Sequence, residues 1–64
     1  MSFKPEFCVS GQWYDNAQRF ATHAEAFDTA LARYRVWTVP TDCRAVESTD
    51  PVNYVRTDGV DRSV

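Results

Sequence analysis

The feature that most constrains this fold is the start of a helix at Thr22. Thr22 and Glu25 have the spacing of a capping box, in which the Thr22 hydroxyl accepts a hydrogen bond from the Glu25 amide and the Glu25 carboxylate reaches back to the Thr22 amide. The helix must end before Pro40, whose ring disfavours helical backbone angles at Val39. We therefore predict one helix over about 22–37, with the other elements arranged around it.

The predicted helix has an aromatic face and a more polar reverse face, as judged from a rotation of about 100° per residue. The aromatic face carries His23, Ala24, Phe27, Ala30, Leu31, Tyr34 and Trp37. The reverse face carries Glu25, Asp28, Thr29, Ala32, Arg35 and Val36. Because no opposite charges are spaced at i and i+4, we expect the helix to depend on packing its aromatic face onto a sheet.

Alternating residues before the helix predict a strand that folds back on itself. The alternation runs from Phe3 to Val9. Pro5 cannot donate a ladder hydrogen bond, so this strand should lie at a sheet edge or pair only beyond Pro5. The pairs Ser10-Gly11 and Asp15-Asn16 are both turn candidates, which leaves the register of the hairpin open.

Further extended segments follow the helix. Residues Cys43 to Ser48 alternate, and Val52 to Thr57 form another extended run. Asp58-Gly59 predicts a type I′ hairpin turn, after which residues 60–64 either return as a strand or fray. We predict a single small α+β domain over 1–64, with one helix packed on a small antiparallel sheet in the order ββαββ.

Length and charge limit the function classes. A chain of 64 residues buries only about 60% of its unfolded surface, and one core of that size rarely supplies more than roughly 3 to 5 kcal/mol. The nine aromatic residues predict an aromatic-rich core. A net charge of −2 argues against duplex DNA as a partner, since duplex-binding domains carry a clustered basic face. The N-terminus has no apolar run that could serve as a secretory signal, and no run approaches the roughly 18 apolar residues of a membrane span, so we expect a cytoplasmic protein.

The residues that could hold a metal or a cofactor are few. Cys8 and Cys43 are too far apart for a zinc site of the paired-Cys kind, and His23 is the only imidazole that could join them. We expect both thiols to be free in a reducing compartment. With only two glycines, each in a predicted turn, the chain lacks a phosphate-binding loop. We predict no metal and no cofactor.

Catalytic candidates have simpler structural interpretations. His23 is the only side chain of a type that titrates near neutral pH, but a partly buried structural histidine in the first helical turn is the preferred interpretation. Asp15, Glu47 and Asp50 could form the carboxylate pair of acid and base catalysis. Glu47 is better explained as the outward residue of a strand and Asp50 as a turn residue before Pro51. We predict that the protein is not an enzyme.

Binding hypotheses remain. Arg19, Arg44 and Arg56 could interleave with sheet aromatics as a platform for single-stranded nucleic acid, unless the aromatics face the helix and the arginines face water. Tyr, Trp and Arg also dominate protein interfaces, and Val36 and Ala32 interrupt the charges on the reverse helix face. Self-association through an edge strand at Phe3 to Val9 or through the exposed helix face, giving a homodimer, is a third hypothesis. The candidate partner-binding residues are Trp13, Tyr14, Arg35, Val36, Arg44, Tyr54 and Arg56.

Two blocks of residues carry a likeness to known sequences. The first, Asn16-Ala-Gln-Arg-Phe-Ala-Thr-His-Ala-Glu-Ala26, fits Asn-x-x-Arg-Phe-Ala-Thr-x-x-Glu-Ala; the second, Arg44-Ala-Val-Glu-Ser-Thr-Asp-Pro-Val-Asn-Tyr54, fits Arg-Val-Val-Glu-Ser-x-Asp-Pro-Val-Asn-Tyr. With these blocks the chain resembles a family of short uncharacterised proteins of tailed bacteriophages and prophage-bearing bacteria.

The chain also departs from the pattern of that family. Val36 stands where an arginine is expected, Cys43 replaces an aromatic residue, and Ala45 replaces a valine. The family has no established catalytic site, so the resemblance transfers no functional residue. It implies a phage-type protein that binds and inhibits a bacterial host or defence protein, such as a component of a CRISPR system.

Overall fold

The computed structural model describes residues 1–64 and contains one helix and five strands. In chain order these are β1 (Ser2–Val9), β2 (Gln12–Asp15), α1 (His23–Val36), β3 (Asp42–Ser48), β4 (Tyr54–Thr57) and β5 (Val60–Ser63). They form a three-stranded antiparallel sheet in the order β2-β1-β3 and a separate β4-β5 hairpin. The predicted α+β fold is confirmed, and the last residues, for which pairing and fraying were both open, form β5. Helix α1 lacks the length and apolar character needed to cross a membrane.

The helix starts as the capping pattern predicts, with one difference. The Thr22 hydroxyl accepts a hydrogen bond from the Glu25 amide at 3.2 Å. The Glu25 carboxylate accepts from the Thr22 hydroxyl at 2.9 Å and from the amide of Arg56 at 3.0 Å, instead of from the Thr22 amide. Glu25 therefore joins the start of α1 to strand β4.

Strand β1 lies in the middle of the sheet. Of the two arrangements that Pro5 predicts, the one with this strand at a sheet edge is therefore wrong. Pairing with β2 starts only beyond Pro5, at Glu6, which was the other arrangement that Pro5 allowed. Phe3 and Phe20 exchange two backbone hydrogen bonds of 2.8 Å on the same side of β1. Two residues after Phe3, Pro5 directs its nitrogen into the gap between this bridge and β2, so no ladder bond is lost. Because both sides of β1 are paired, it offers no free edge to a second copy.

Both hairpins use two-residue turns with positive φ at each central residue. Ser10 and Gly11 have φ of 53° and 80°, and Asp58 and Gly59 have φ of 53° and 76°. This is the geometry of the type I′ turn predicted at Asp58-Gly59, and it also fixes the register of the first hairpin, with Phe7 opposite Tyr14. The Asp15-Asn16 pair is not the hairpin turn.

Helix α1 is covered on two sides, which changes its buried face. Its buried residues are Ala26, Thr29 and Ala30. Thr29 was assigned to the reverse face but is only 2% exposed, whereas His23 is exposed. The sheet covers one side of the helix and the β4-β5 hairpin covers the side that carries Glu25 and Thr29, so the buried stripe runs between the two predicted faces.

Phe20 is the centre of the aromatic core. It is fully buried, and its ring centroid lies 6.1 Å from that of Tyr54 in β4. Next to it, the Arg19 carbonyl accepts hydrogen bonds from the amides of Asn53 and Tyr54, both at 3.0 Å. The Arg19 amide donates to the Asn53 side chain at 2.7 Å. The two blocks that carry the sequence resemblance therefore meet in space and hold the hairpin against the rest of the domain.

Replacing Phe20 by alanine should unfold most of the protein. Phe20→Ala removes the largest buried side chain, and such changes cost about 3 to 5 kcal/mol, which is comparable to the whole stability expected at this size. Urea unfolding followed by circular dichroism measures the loss. Phe27→Ala, the same chemical change at a residue 37% exposed, is the control and should cost much less. Equal losses in the two variants would contradict this account of the core.

Candidate partner-binding groove

A groove of about 570 Å³ lies between the C-terminal half of α1 and the β4-β5 hairpin. Its lining residues are Thr29, Ala32, Arg33, Val36, Trp37, Arg56 and Asp61. The residues from α1 recur at helical spacing and form one stripe. The hairpin covers this stripe at Thr29 and leaves its continuation toward Val36 open. We call this region the helix groove.

The floor of the helix groove is a hydrogen-bonded polar layer around Asp61. The Asp61 carboxylate accepts from the Thr29 hydroxyl at 3.0 Å, from the side-chain Nε2 of Gln18 at 3.0 Å and from the Arg56 guanidinium at 2.7 Å. Arg56 also donates to Asp28 of the helix. Every charge in this layer has a partner of opposite sign, so the floor fixes the hairpin in place without leaving a free charge in the groove.

The wall of the helix groove is apolar and open to solvent. Val36 is 82% exposed, and Trp37 beside it is 39% exposed. The Trp37 ring is held by an edge contact with Phe7, with ring centroids 5.6 Å apart. Fully burying a valine side chain stabilises by about 1.5 kcal/mol or more. A partner that covers Val36 would gain that energy, and the fold does not use it.

The helix end beside the groove carries cations without partners. Arg33 and Arg35 are exposed and form no ion pair, as is also true of Arg62 in β5, whereas Lys4, Arg19, Arg44 and Arg56 are all paired. Both arginines complement the negative end of the helix dipole. They also make this edge of the groove positive, although the chain as a whole carries a net charge of −2.

The open face of the three-stranded sheet holds a second group of predicted residues. The guanidinium carbon of Arg44 lies 3.9 Å from the centre of a Trp13 ring, and Arg44 pairs with Glu6 at 2.7 Å. Lys4 continues the chain of ion pairs from Glu6 to Asp15. A base that stacked on this face of Trp13 would have to displace the Arg44 guanidinium from the ring.

The structure thus divides the predicted partner-binding residues among several places. Val36 and Arg56 meet in the helix groove, and Arg35 lies on the same helix end. Trp13 and Arg44 meet on the open sheet face. Two residues lie apart from both groups. Tyr14 is 51% exposed on β2 and donates to Gln12 at 3.0 Å, while Tyr54 packs on Phe20. The aromatic and arginine side chains proposed as one nucleic-acid platform are therefore divided between the two sheets, and Arg19 lies on neither.

Five groove residues are absent from the predicted partner-binding set, namely Thr29, Ala32, Arg33, Trp37 and Asp61. The helical spacing of Thr29 with Val36 is visible in the sequence. No local pattern shows that Asp61 meets this helix, because the contact joins residues 32 positions apart in the chain.

The catalytic candidates are held in structural contacts. His23 is exposed and not partly buried as predicted, because the helix turns Ala26 and Ala30 inward. The His23 ring lies 5.9 Å from the ring of Phe3 and 5.9 Å from the ring of Phe27.

Cys8 and Cys43 are free thiols. Cys43 is aligned with Phe7 across β1 and β3, so the two cysteines point to opposite faces of the sheet. Burial, with a smaller effect of Asp42, raises the pKa of the Cys43 thiol, which favours its unreactive protonated form.

The three carboxylates do not form an acid and base pair. A hydrogen bond from Lys4 lowers the pKa of Asp15, and one from Arg19 lowers the pKa of Asp50. Arg19 contacts both carboxylates, at 3.7 Å and 2.9 Å. Glu47 lies apart from them, exposed on β3. Asp15 and Asp50 are therefore held as carboxylates in ion pairs with Arg19.

Comparisons with protein families, with curated proteins and with solved structures gave no match. Function is therefore inferred from the helix groove, and from the resemblance of the two sequence blocks.

Loss of the Asp61 charge should remove part of the acid sensitivity of the fold. Burial raises the pKa of Asp61, but hydrogen bonds from Arg56, Thr29 and Gln18 together outweigh it and hold the pKa below the ordinary value of 3.8. A pKa lowered by folding stabilises the protein above the unfolded value, and this stabilisation is lost as pH falls through the folded value. Asp61→Asn should therefore destabilise the protein at neutral pH and have little effect at the lowest pH.

Urea midpoints at neutral pH and at several pH values below 3.8 measure this difference. Asp58→Asn is the matched control, because Asp58 has no ion-pair partner in its turn and asparagine tolerates the positive φ there. A gap between wild type and Asp61→Asn that stays constant with pH would show that the Asp61 charge does not hold the hairpin.

Proposed function

We propose that this protein is a protein-binding module that docks its partner in the helix groove. The observation that carries the proposal is the exposure of Val36, at 82%, on a groove wall that it forms together with Ala32 and a tryptophan packed on Phe7. The chain buries only eight of its 64 residues, so it has little apolar surface to leave in water. An exposed apolar side chain in a concave part of the surface is typical of an interaction site.

The charges of the groove indicate the chemistry of the partner. Arg33 lines the groove and Arg35 lies near it, both without an ion pair. The best fit is a protein segment that inserts an apolar side chain beside Val36 and places carboxylates near these two arginines. Trp and Arg contribute most of the energy in many small interfaces, and opposite charges at the rim mainly speed association.

The biological setting that we propose comes from the sequence resemblance. A short phage-type protein with this groove would bind a bacterial host or defence protein, such as a component of a CRISPR system. It would inhibit that protein by covering a surface that the protein needs for its activity. The two blocks that resemble the phage family support this setting. In the structure those blocks hold the fold together, which leaves the groove free to differ between related proteins.

The decisive comparison uses two valines of almost equal exposure. Val36 is 82% exposed in the groove, and Val64 is 80% exposed at the chain terminus. Val36→Glu adds a charge to the docking surface and should abolish binding without loss of stability. Val64→Glu adds the same charge elsewhere and should bind like the wild type. Each variant is tethered and incubated with bacterial lysate, and the affinity of any stoichiometric partner is then measured by calorimetry with the purified protein.

The inhibitory role has its own readout. Expression of the wild type or of Val64→Glu in bacteria with an active defence system should raise the plaquing efficiency of a targeted phage, and expression of Val36→Glu should not. Equal binding by both variants would contradict the groove as the docking site. Quenching of tryptophan fluorescence by single-stranded oligonucleotides, weakening steeply with salt, would instead support the nucleic-acid hypothesis.

A further inference from the structure

Strand β3 forms an outer edge of the three-stranded sheet. In an antiparallel ladder successive residues direct their backbone groups to opposite sides. Phe3 bonds to Phe20 on the far side of β1, so the residues of β1 that face β3 are the alternate ones, aligned with Asp42, Arg44, Val46 and Ser48. The backbone groups of Cys43, Ala45 and Glu47 therefore point away from the sheet.

The outward groups are satisfied only in part. The Cys43 amide donates to the Asp42 carboxylate at 2.8 Å. The amides and carbonyls of Ala45 and Glu47 have no partner within the protein. Together with the Cys43 carbonyl, this leaves two donors and three acceptors in a row on the outer edge of the sheet, and such an edge is a template for another strand.

We propose that β3 pairs with β3 of a second copy of this chain, antiparallel, with Val46 on the two-fold axis. In this register Ala45 faces Glu47 of the second copy, and Glu47 faces its Ala45. Each pair exchanges two hydrogen bonds, so the amides and carbonyls of Ala45 and Glu47 in each chain are all used. The Cys43 amide stays with Asp42. A register centred on Ala45 would instead place Cys43 opposite Glu47 and would break the bond between the Cys43 amide and Asp42.

The side chains agree with this register. Val46 faces Val46 of the second copy at a position without hydrogen bonds, where the two Cα atoms approach to about 4.5 Å and side chains are in closest contact. Arg44 faces Ser48, so no like charges lie directly opposite each other. The product is a six-stranded sheet with both β3 edges covered. None of these residues lines the helix groove, so this dimer does not depend on the proposed function.

Disulfide formation tests the register directly. Cα separations of 4.4 to 6.8 Å are typical of disulfides, so Val46→Cys should give a covalent dimer on mild oxidation, resolved on a non-reducing gel. Ser48→Cys is the control, because residue 48 faces residue 44 of the second copy and should not cross-link with itself. The wild type, with Cys8 and Cys43, should also stay monomeric on the gel. Equal cross-linking of both variants, or none in either, would overturn the register.

Sedimentation equilibrium tests the pairing itself. The Glu47 amide points away from β1, so Glu47→Pro removes two of the four hydrogen bonds between the copies and keeps the ladder inside the sheet. Its dimer dissociation constant should rise by about tenfold or more. Glu47→Ala keeps the amide and should dimerise nearly like the wild type. A wild type that remains monomeric at millimolar concentration, with Ala45 and Glu47 amides in fast hydrogen exchange, would overturn the proposal.

Discussion

The fold depends on the junction at Phe20. The backbone of Phe20 pairs with Phe3 of the sheet, its ring packs on Tyr54 of the hairpin, and the helix begins directly after Thr22. The neighbouring Arg19 carbonyl accepts both amides at the start of the hairpin. With only eight buried residues, the domain has little apolar surface with which to order these elements. Backbone hydrogen bonds beside a fully buried ring therefore position the sheet, the helix and the hairpin relative to one another.

The helix groove follows from the way the hairpin is attached. Between the hairpin and α1 lies the polar layer of Asp61, Arg56 and Thr29, which requires defined positions for its donors and acceptors. An apolar contact is not directional, and it would have allowed the hairpin to shift along the helix and cover Val36. The polar layer holds it at Thr29, and the next turns of the helix stay open. The candidate binding surface is thus a geometric consequence of how the fold is stabilised.

Local signals in the sequence predict local structure well. The helix start at Thr22 and the turn at Asp58-Gly59 depend on residues close in the chain, and both are confirmed. The position of β1 could not be predicted, because Pro5 is compatible with a central strand wherever its nitrogen faces a gap in the ladder. The buried face of the helix was misjudged for a related reason. Periodicity identifies apolar residues but does not show that a polar hairpin would bury Thr29.

The contacts that define the candidate site are long-range. Asp28 and Arg56, which form an ion pair, are 28 residues apart, and Thr29 and Asp61 are 32 apart. Neither pair belongs to a recognisable local motif. The sequence alone shows that Val36 and Ala32 interrupt the polar face of the helix. The concavity arises only when Asp61 and Arg56 are brought against that face.

Native-state hydrogen exchange tests the central role of the junction most directly. The Phe20 amide bonds to Phe3 of the sheet, and the Tyr54 amide bonds to the Arg19 carbonyl. If the junction holds sheet, helix and hairpin together as one cooperative unit, both amides should exchange with the same free energy, equal to that of global unfolding. Exchange of the Tyr54 amide through a much easier opening, with the Phe20 amide still protected, would show that the hairpin detaches independently and would contradict this account.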